Sequence, residues 1–479
     1  MRSAITFLLD GRPVGIDFAR GDSMRPTTTL LNYLRSLPSH RGVKEGCAEG
    51  DCGACTVVLA EPAKDGGLTY RAVDSCLVFL PMIDGKQVIT VENLRSPSGE
   101  LHPVQEAIVG SHGSQCGFCT PGFLMSMFAL FKSGAAPPED RILDALAGNL
   151  CRCTGYRSIV DAAREACARG PRDHFSDSER RVSEALRNFP HDLFAVRTPG
   201  RTYIRPASID EALAALVDIP GATVVAGGTD AALRVTKRHE ELGCVIDIGG
   251  VPGLKSVERA RGEIVIGAGI PLADVPLILG KEFPALLESL VLFGSTQVRN
   301  CATIGGNLGT ASPIGDLAPV LMAYRARVVL RSVRGSRRMP LEEFLTGYRT
   351  NALGPGELVA AVAIPPPGGA LVRSYKVSRR RDLDIATLSA GFRLELDGAG
   401  RVASLVLAYG GMAERTRRAS NAERALTGKP WSRGRVERAL QSLDADFTPI
   451  NDVRGSAQFR ALAAKNVLLR FWDDSRGGR

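Results

Sequence analysis

Hydrophobic and polar positions alternate from the start of the chain, with Ile5, Phe7 and Leu9 on one side of Asp10-Gly11 and Val14 and Ile16 on the other. A period of two on both sides of a turn dipeptide predicts a β-hairpin over residues 3–18. The period then lengthens: Thr29–Leu37 predicts a helix, and strands are expected near Cys55–Ala60 and Thr69–Val73. Hairpin, helix and further strands suit a small β-grasp domain ending near residue 90. Beyond it, Phe123–Phe131 is apolar and Glu139–Leu146 amphipathic, and both have helical length and periodicity. Residues 170–198 are polar, charged and interrupted by Pro171 and Pro190, the composition of a linker. From Thr202 the pattern is mixed α/β, with buried-type strands at Thr223–Ala226 and Val245–Ile248. Residues 400–479 alternate strand-like and helical stretches, such as Val402–Ala408 and Ala457–Phe471, and complete a packing layer without legible chemistry.

Cysteines change this picture most. Eight of the eleven form two ordered sets, Cys47, Cys52, Cys55 and Cys76, then Cys116, Cys119, Cys151 and Cys153. The first set has the C-x4-C-x2-C…C spacing by which one tight loop and a later strand hold a plant-type [2Fe–2S] cluster. Gly50 and Gly53 let the backbone wrap closely and aim N–H groups at the sulfurs. A disulfide framework would accompany a secretory leader, and none is recognisable; structural zinc more often pairs two C-x2-C knuckles or adds histidine. The second set, a C-x2-C pair completed by Cys151-Arg-Cys153, could by itself hold zinc. With the helices between its pairs it suits a short helical domain that holds a second cluster. Cys167, Cys244 and Cys301 have no partners at useful spacing and read as core or incidental thiols.

The 479 residues allow three or four domains, and 44% hydrophobic content is ordinary for a soluble globular protein. No run of 18 apolar residues is present to span a membrane, so a cytoplasmic location is expected. The net charge of +9 is scattered over the chain, and its densest run, Arg379-Arg380-Arg381, is followed by Asp382 and Asp384, which argues against nucleic acid as a partner. The six histidines form no cluster and no H-E-x-x-H occurs; His102 and His112 read as solvated or structural.

Glycine is placed with purpose in the later half. Ala226-Gly227-Gly228-Thr229-Asp230 follows an apolar strand, and Ala302-Thr303-Ile304-Gly305-Gly306-Asn307 precedes a second small-residue run through Gly315 and Asp316. Small residues with free N–H groups and nearby hydroxyls allow close approach of a diphosphate. One such loop is ordinarily a turn; two of them downstream of cluster motifs point to a nucleotide cofactor. Neither a G-x-G-x-x-G after a strand nor a G-x4-G-K-[ST] occurs, which disfavours a Rossmann site and a P-loop.

Together, Gln-Cys-Gly-Phe-Cys-Thr-Pro-Gly at 115–122, Cys-Arg-Cys-Thr-Gly-Tyr at 151–156, Ala-Gly-Gly-Thr-Asp at 226–230 and Thr-Ile-Gly-Gly-Asn at 303–307 resemble the iron–sulfur and flavin half of the xanthine dehydrogenases, molybdenum hydroxylases. The resemblance covers nearly the whole chain and is most specific through residue 400. It implies a multidomain α+β fold: a β-grasp [2Fe–2S] domain (1–90), a helical-bundle [2Fe–2S] domain (91–169), a linker (170–198), an α+β FAD-binding domain (199–370) and a C-terminal α+β flavoprotein subdomain (371–479). It closely resembles the bacterial small subunit, in which both clusters and FAD share one polypeptide and molybdopterin sits on a separate large subunit, and it implies a dimer of heterodimers. Nothing after residue 400 resembles a molybdopterin domain.

By position, the resemblance gives Cys47, Cys52, Cys55 and Cys76 to the cluster nearer the flavin. It gives Cys116, Cys119, Cys151 and Cys153 to the cluster nearer molybdenum, with Gln115 reaching towards the pterin. Val225, Ala226, Gly227, Gly228, Thr229 and Asp230, with Ala302, Thr303, Ile304, Gly305, Gly306 and Asn307, match the loops that hold the FAD diphosphate. Asp316 matches a residue at the adenosine portion and Phe293 a ring against the cofactor. Lys376 lies near the flavin and Tyr348 on its nicotinamide side.

The implied activity is NAD-dependent xanthine dehydrogenase, which oxidises hypoxanthine and xanthine to urate in purine catabolism. A cluster passes one electron at a time and nicotinamide takes a hydride, so a flavin between them converts one currency to the other. Two other readings stay open: the same module serving an aldehyde, N-heterocycle or aromatic thioester hydroxylase, and a non-catalytic iron–sulfur assembly or sensing protein.

Overall fold

The computed structural model describes residues 2–20, 24–134, 136–198, 200–260 and 262–477; the expected boundary residues 1, 199 and 479 lie outside them. The fold is mixed α+β, and the chain separates into two compact units, Met1–Val251 with Ser295–Ala302, and Pro252–Gly294 with Thr303–Arg479.

The first unit begins with the expected hairpin. Ala4–Leu9 pairs with Arg12–Asp17 so that Ile5 faces Ile16 and Phe7 faces Val14, and the turn is made by Asp10 and Gly11, both at positive φ. The sheet continues through Gln87–Ile89, Thr56–Pro62 and Leu68–Asp74. Ile5, Phe7 and Val57 on its inner face are fully buried with Leu30 and Leu34 of the helix Leu30–Ser36, which Thr29 caps. That is the β-grasp arrangement; the hairpin, the helix and the strands Thr56–Pro62 and Leu68–Asp74 lie within two residues of their expected positions, and the strand Gln87–Ile89 was not anticipated.

Next come the helices Pro103–Gly110, Thr120–Lys132, Glu139–Leu146 and Arg157–Ala168. Thr120–Lys132 is apolar on almost every side, with Phe123, Met125, Met127, Phe128 and Phe131 all buried, so the other helices pack around it. His102 takes the structural half of its expected reading. Its Nδ1 accepts from the Val104 N–H as a helix cap, and its Nε2 donates to Asp173 Oδ2 at 2.8 Å.

Residues 170–198, expected as a linker, are tied down. Asp173 is fully buried against His102 and Lys132, and the helix Glu179–Arg187 accepts from Tyr70 through Glu179. Burial would raise the Asp173 carboxyl, but the His102 hydrogen bond and the Lys132 charge outweigh it and hold the group down to about 2. The folded value lies below the ordinary carboxylate value of about 3.9, so the contribution is complete above that value and is lost as the pH falls through the folded one. Asp173→Asn should therefore cost about 2 kcal/mol in urea unfolding at neutral pH, and its difference from the parent should shrink as the pH drops from about 4 towards about 2.

A four-stranded sheet ordered Phe194–Thr198, Arg201–Arg205, Cys244–Asp247, Thr223–Val225 completes the first unit. Tyr203 pairs with Val245 and Val224 with Ile246 in parallel register.

The second unit holds a five-stranded antiparallel sheet from Val257–Ala260 to Gly335–Pro340 and a four-stranded one built on Leu371–Val377, Leu388–Leu396 and Val402–Gly410. The helix Ala457–Asp474 buries Leu468 and Phe471 against the latter. Its Arg460 is buried as well, donating to the Thr387 and Gly411 carbonyls and to Asp452. Among the described residues, no helix is long and apolar enough to cross a membrane.

Candidate functional site: two thiol loops and the flavin loops

The loop 47–55 is shaped by Ala48, Gly50 and Gly53, all at positive φ, and it turns backbone N–H groups inward. Glu49 and Asp51 donate to Cys47 Sγ at 3.4 and 3.3 Å. A hydrogen bond from the Cys52 thiol, with those N–H groups, draws Cys47 down to about 5. Cys55 and Cys76, both buried, hydrogen-bond to each other, which with burial pushes the Cys55 thiol up. The Cys55 Sγ also lies 3.8 Å from Oδ1 of Asp74, a fully buried carboxyl whose Oδ2 has no partner.

The second set assembles at the mouth of the helical domain. Cys119 immediately precedes the helix Thr120–Lys132 and pairs with Cys151; Cys116 pairs with Cys153, and both of these are exposed beside exposed Gln115. Partial burial raises Cys151, but the Thr154 hydroxyl at 3.2 Å and the N–H groups of Thr154 and Cys153 outweigh it and bring the thiol to about 7. In both sets the four thiols associate two and two. That suits a two-iron cluster, where each tetrahedral iron shares two sulfides and takes two thiolates, better than a single zinc ion bound by all four. The two loops touch: the Leu150 N–H, one residue before Cys151, donates to the Cys52 carbonyl at 3.0 Å.

Of the loops expected to hold the flavin, Val225–Asp230 lies in the first unit and Thr303–Asn307 in the second. In the first, Val225 ends its strand and Ala226 leads into Gly227, where an added Cβ would lie 1.8 Å from the Cys301 carbonyl, next to buried Ala302. Gly228 has a positive φ and lies against the Leu77 carbonyl, and Thr229 and Asp230 then open the helix Ala231–Thr236. In the second, Thr303 caps Ile304–Thr310 by accepting from the Gly306 N–H at 3.0 Å. Ile304 is buried, and a Cβ on Gly305 would meet Ala268 at 2.4 Å. Three of the four loop glycines, Gly227, Gly228 and Gly305, are thus required by backbone packing, beyond any approach of a ligand.

A Cβ added at Gly315, which precedes Asp316, would lie 3.8 Å from Asn307 Oδ1. Lys376 donates to Asp316 Oδ2 at 2.8 Å and to the Leu292 carbonyl, adjacent to Phe293, at 2.7 Å. Burial raises the Asp316 carboxyl against the pull of Lys376, and its buried Oδ1 has no protein partner. A cavity of about 240 Å³ opens beside it, lined by Ser289, Leu292, Asp316, Tyr375, Lys376 and Ser389. It can take a fragment of a dinucleotide and not the whole, since drug-sized ligands need roughly 300 Å³ or more. An orphaned buried acceptor on a residue that lines such a cavity fits a donor-bearing part of FAD. Tyr348 stands 65% exposed at the tip of the hairpin Leu345–Gly347/Thr350–Asn351, whose Asn351 donates to Gly309 at the end of the Thr303-capped helix.

Residues 195–367 match the family described as the FAD binding domain in molybdopterin dehydrogenase, 373–475 the CO dehydrogenase flavoprotein C-terminal domain, and 90–164 a [2Fe-2S] binding domain. Xanthine dehydrogenase of Emericella nidulans is 33% identical over 533 residues, covering 98% of this chain and 38% of that protein. Among solved structures, carbon monoxide dehydrogenase from Hydrogenophaga pseudoflava is 28% identical with a TM-score of 0.54, covering 57% of this chain and 96% of its own. Quinoline 2-oxidoreductase from Pseudomonas putida 86 is 26% identical at 0.54, covering 59% and 99%.

The chain belongs to the molybdenum hydroxylase family.

This molybdenum hydroxylase chain carries both [2Fe–2S]- and FAD-binding domains, and it spans about two fifths of the length of the curated relatives it matches. Its thiol loops bring together residues that spacing announced, whereas Asp74, Asn149 and Gln297, which surround them, carry no local signal. Gly227→Ala should destabilise the first unit by about 3 kcal/mol, because a backbone carbonyl rather than a flexible side chain must move, and thermal unfolding measures it.

Proposed function

We infer that this chain is the electron-transfer subunit of a xanthine dehydrogenase, carrying electrons from a molybdopterin-bearing partner to NAD during oxidation of hypoxanthine or xanthine to urate. The observation that carries the reading is the contact of the two thiol loops at Cys52 and Leu150, which makes two one-electron sites neighbours. Similarity to a xanthine dehydrogenase along 98% of the chain supports the substrate.

Cys116, Cys119, Cys151 and Cys153 would hold the cluster on the exposed, partner-facing side, with Gln115 beside it. Cys47, Cys52, Cys55 and Cys76 would hold the inner one. N–H groups of Glu49, Asp51, Cys153 and Thr154 stabilise sulfur-borne charge and so tune potential. Bound FAD supplies the conversion between single electrons and a hydride. Val225–Asp230 and Ala302–Asn307 would take its diphosphate, Asp316 a hydrogen-bond donor of its adenosine portion, Phe293 a ring face, and Lys376 would fix Asp316. Tyr348, exposed at its hairpin tip, would line the nicotinamide approach. Cytoplasmic location and a dimer of heterodimers complete the reading.

Absorbance of NADH after xanthine and NAD are added to the complex purified with its natural partner tests it. Xanthine-dependent NADH formation supports the assignment. Silence with xanthine and turnover with a quinoline-like heterocycle would move the chain to the second reading, a hydroxylase of another substrate, which likeness to quinoline 2-oxidoreductase favours.

A further inference from the structure

The helix Thr296–Cys301 lies in Ser295–Ala302, a stretch that belongs to the iron–sulfur unit although the chain on both sides of it belongs to the other unit. Its Gln297 is 1% exposed and donates from Nε2 to Ser126 Oγ and to Asn149 Oδ1, each at 3.0 Å. Ser126 Oγ donates to the same Asn149 oxygen at 2.6 Å, and Asn149 Nδ2 donates to the Gly53 carbonyl at 3.0 Å. Gly53 sits between Cys52 and Cys55, Ser126 on the helix that Cys119 immediately precedes, and Asn149 two residues before Cys151. One amide thus joins the segments that carry both cysteine sets.

Three glycines make room for the junction. A Cβ on Gly148 would lie 2.1 Å from Gln297 Oε1, one on Gly53 2.5 Å from Asn149 Nδ2, and one on Gly122 2.2 Å from the Gly53 carbonyl. The same short helix grips both iron–sulfur domains elsewhere, through Arg299 on Asp144 at 2.5 Å and Asn300 on the Ala72 carbonyl at 2.8 Å. Gln297 Oε1 is buried without a partner, a desolvation cost that an apolar side chain of similar size would avoid. Stability alone does not account for an amide here.

We propose that Gln297 is a positioning residue for electron transfer between the two clusters. Through Asn149 it presses Leu150 onto the first loop, which holds the Leu150 N–H on the Cys52 carbonyl and gives a route of backbone bonds and one hydrogen bond from Cys151 to Cys52. The step it serves moves one electron: the Cys151 centre is oxidised, the Cys52 centre is reduced, and no proton moves. This rests on the reading of both cysteine sets as cluster ligands.

The test uses the holo complex with Gln297→Leu and two readouts: the magnetic splitting between the clusters in electron paramagnetic resonance of the fully reduced protein, and the rate of inter-cluster electron transfer after rapid mixing. Both cluster signals should keep parental intensity while the splitting weakens and the rate falls on the order of tenfold, since an ångström of misplacement is costly to a positioned transfer. Gly148→Ala should reproduce the pattern by displacing Gln297. Parental splitting and rate in a Gln297→Leu protein that holds both clusters would overturn the proposal. If the leucine variant does not fold, parental values in Gly148→Ala would overturn it equally. A parent protein with fewer than two cluster signals would instead bring down the reading of the cysteines themselves.

Discussion

Cys116→Ser is expected to abolish the signal of one iron–sulfur cluster, leave the other and the FAD in place, and lower partner-driven reduction of NAD by more than about a hundredfold. That exceeds what loss of a metal ligand's outer partner costs, because here the ligand itself is lost. Cys116 is exposed at the mouth of the helical domain, so serine there disturbs little packing, and any fall in thermal stability should come from the missing cluster. The flavin should still be bleached by NADH, because that end of the chain of carriers does not include Cys116. Electron paramagnetic resonance, thermal unfolding and a flavin reduction assay separate these outcomes. Equal loss of NADH-driven bleaching would mean that the two ends are not independent.

Asp316→Ala should be the most destabilising single change near the flavin loops. Lys376 and Asp316 are 7% and 11% exposed, and removing the carboxylate leaves the ammonium with only the Leu292 carbonyl. Breaking a buried pair by deleting one partner costs about 3–5 kcal/mol. Chemical denaturation should register that loss, and the purified variant should contain little FAD. The double change Asp316→Leu with Lys376→Met removes both charges, so it should recover much of the stability while FAD content stays low. Recovery of FAD in the double variant would assign the pair a purely structural role.

These expectations rest on residues that were unequally visible in the sequence. The grouping of the cysteines was legible because they fall at short, fixed intervals, and the structure gathers each set into two pairs. The hairpin, the helices Thr120–Lys132 and Glu139–Leu146 and the helix Ala457–Asp474 were legible from periodicity. Long-range polar partners were not. Asp173 sits in a stretch that composition gives to a linker, and nothing local says that it will be buried against His102 and Lys132. Gln297 lies 241 residues from Thr56 and 148 from Asn149, so no window of sequence holds the junction they share.

The glycines taught a different lesson. Gly227 and Gly305 were marked as places where a ligand could approach, and their missing side chains are also needed by the protein's own backbone at Cys301 and Ala268. A motif read by residue type alone does not separate these two demands, because both require the absence of a Cβ. Lys376 was expected beside the flavin, and the structure adds its partner, Asp316, a residue that lines a cavity and has a buried, orphaned Oδ1.

The central claim is that one chain holds two [2Fe–2S] clusters and FAD as a connected set. Anaerobic titration of the purified chain with NADH and then dithionite, followed by absorbance and electron paramagnetic resonance, tests it most directly. The account predicts bleaching of FAD and the appearance of two distinct cluster signals that split each other when both are reduced. A protein that shows only one cluster signal, or that carries zinc and no visible absorbance from iron, would contradict it.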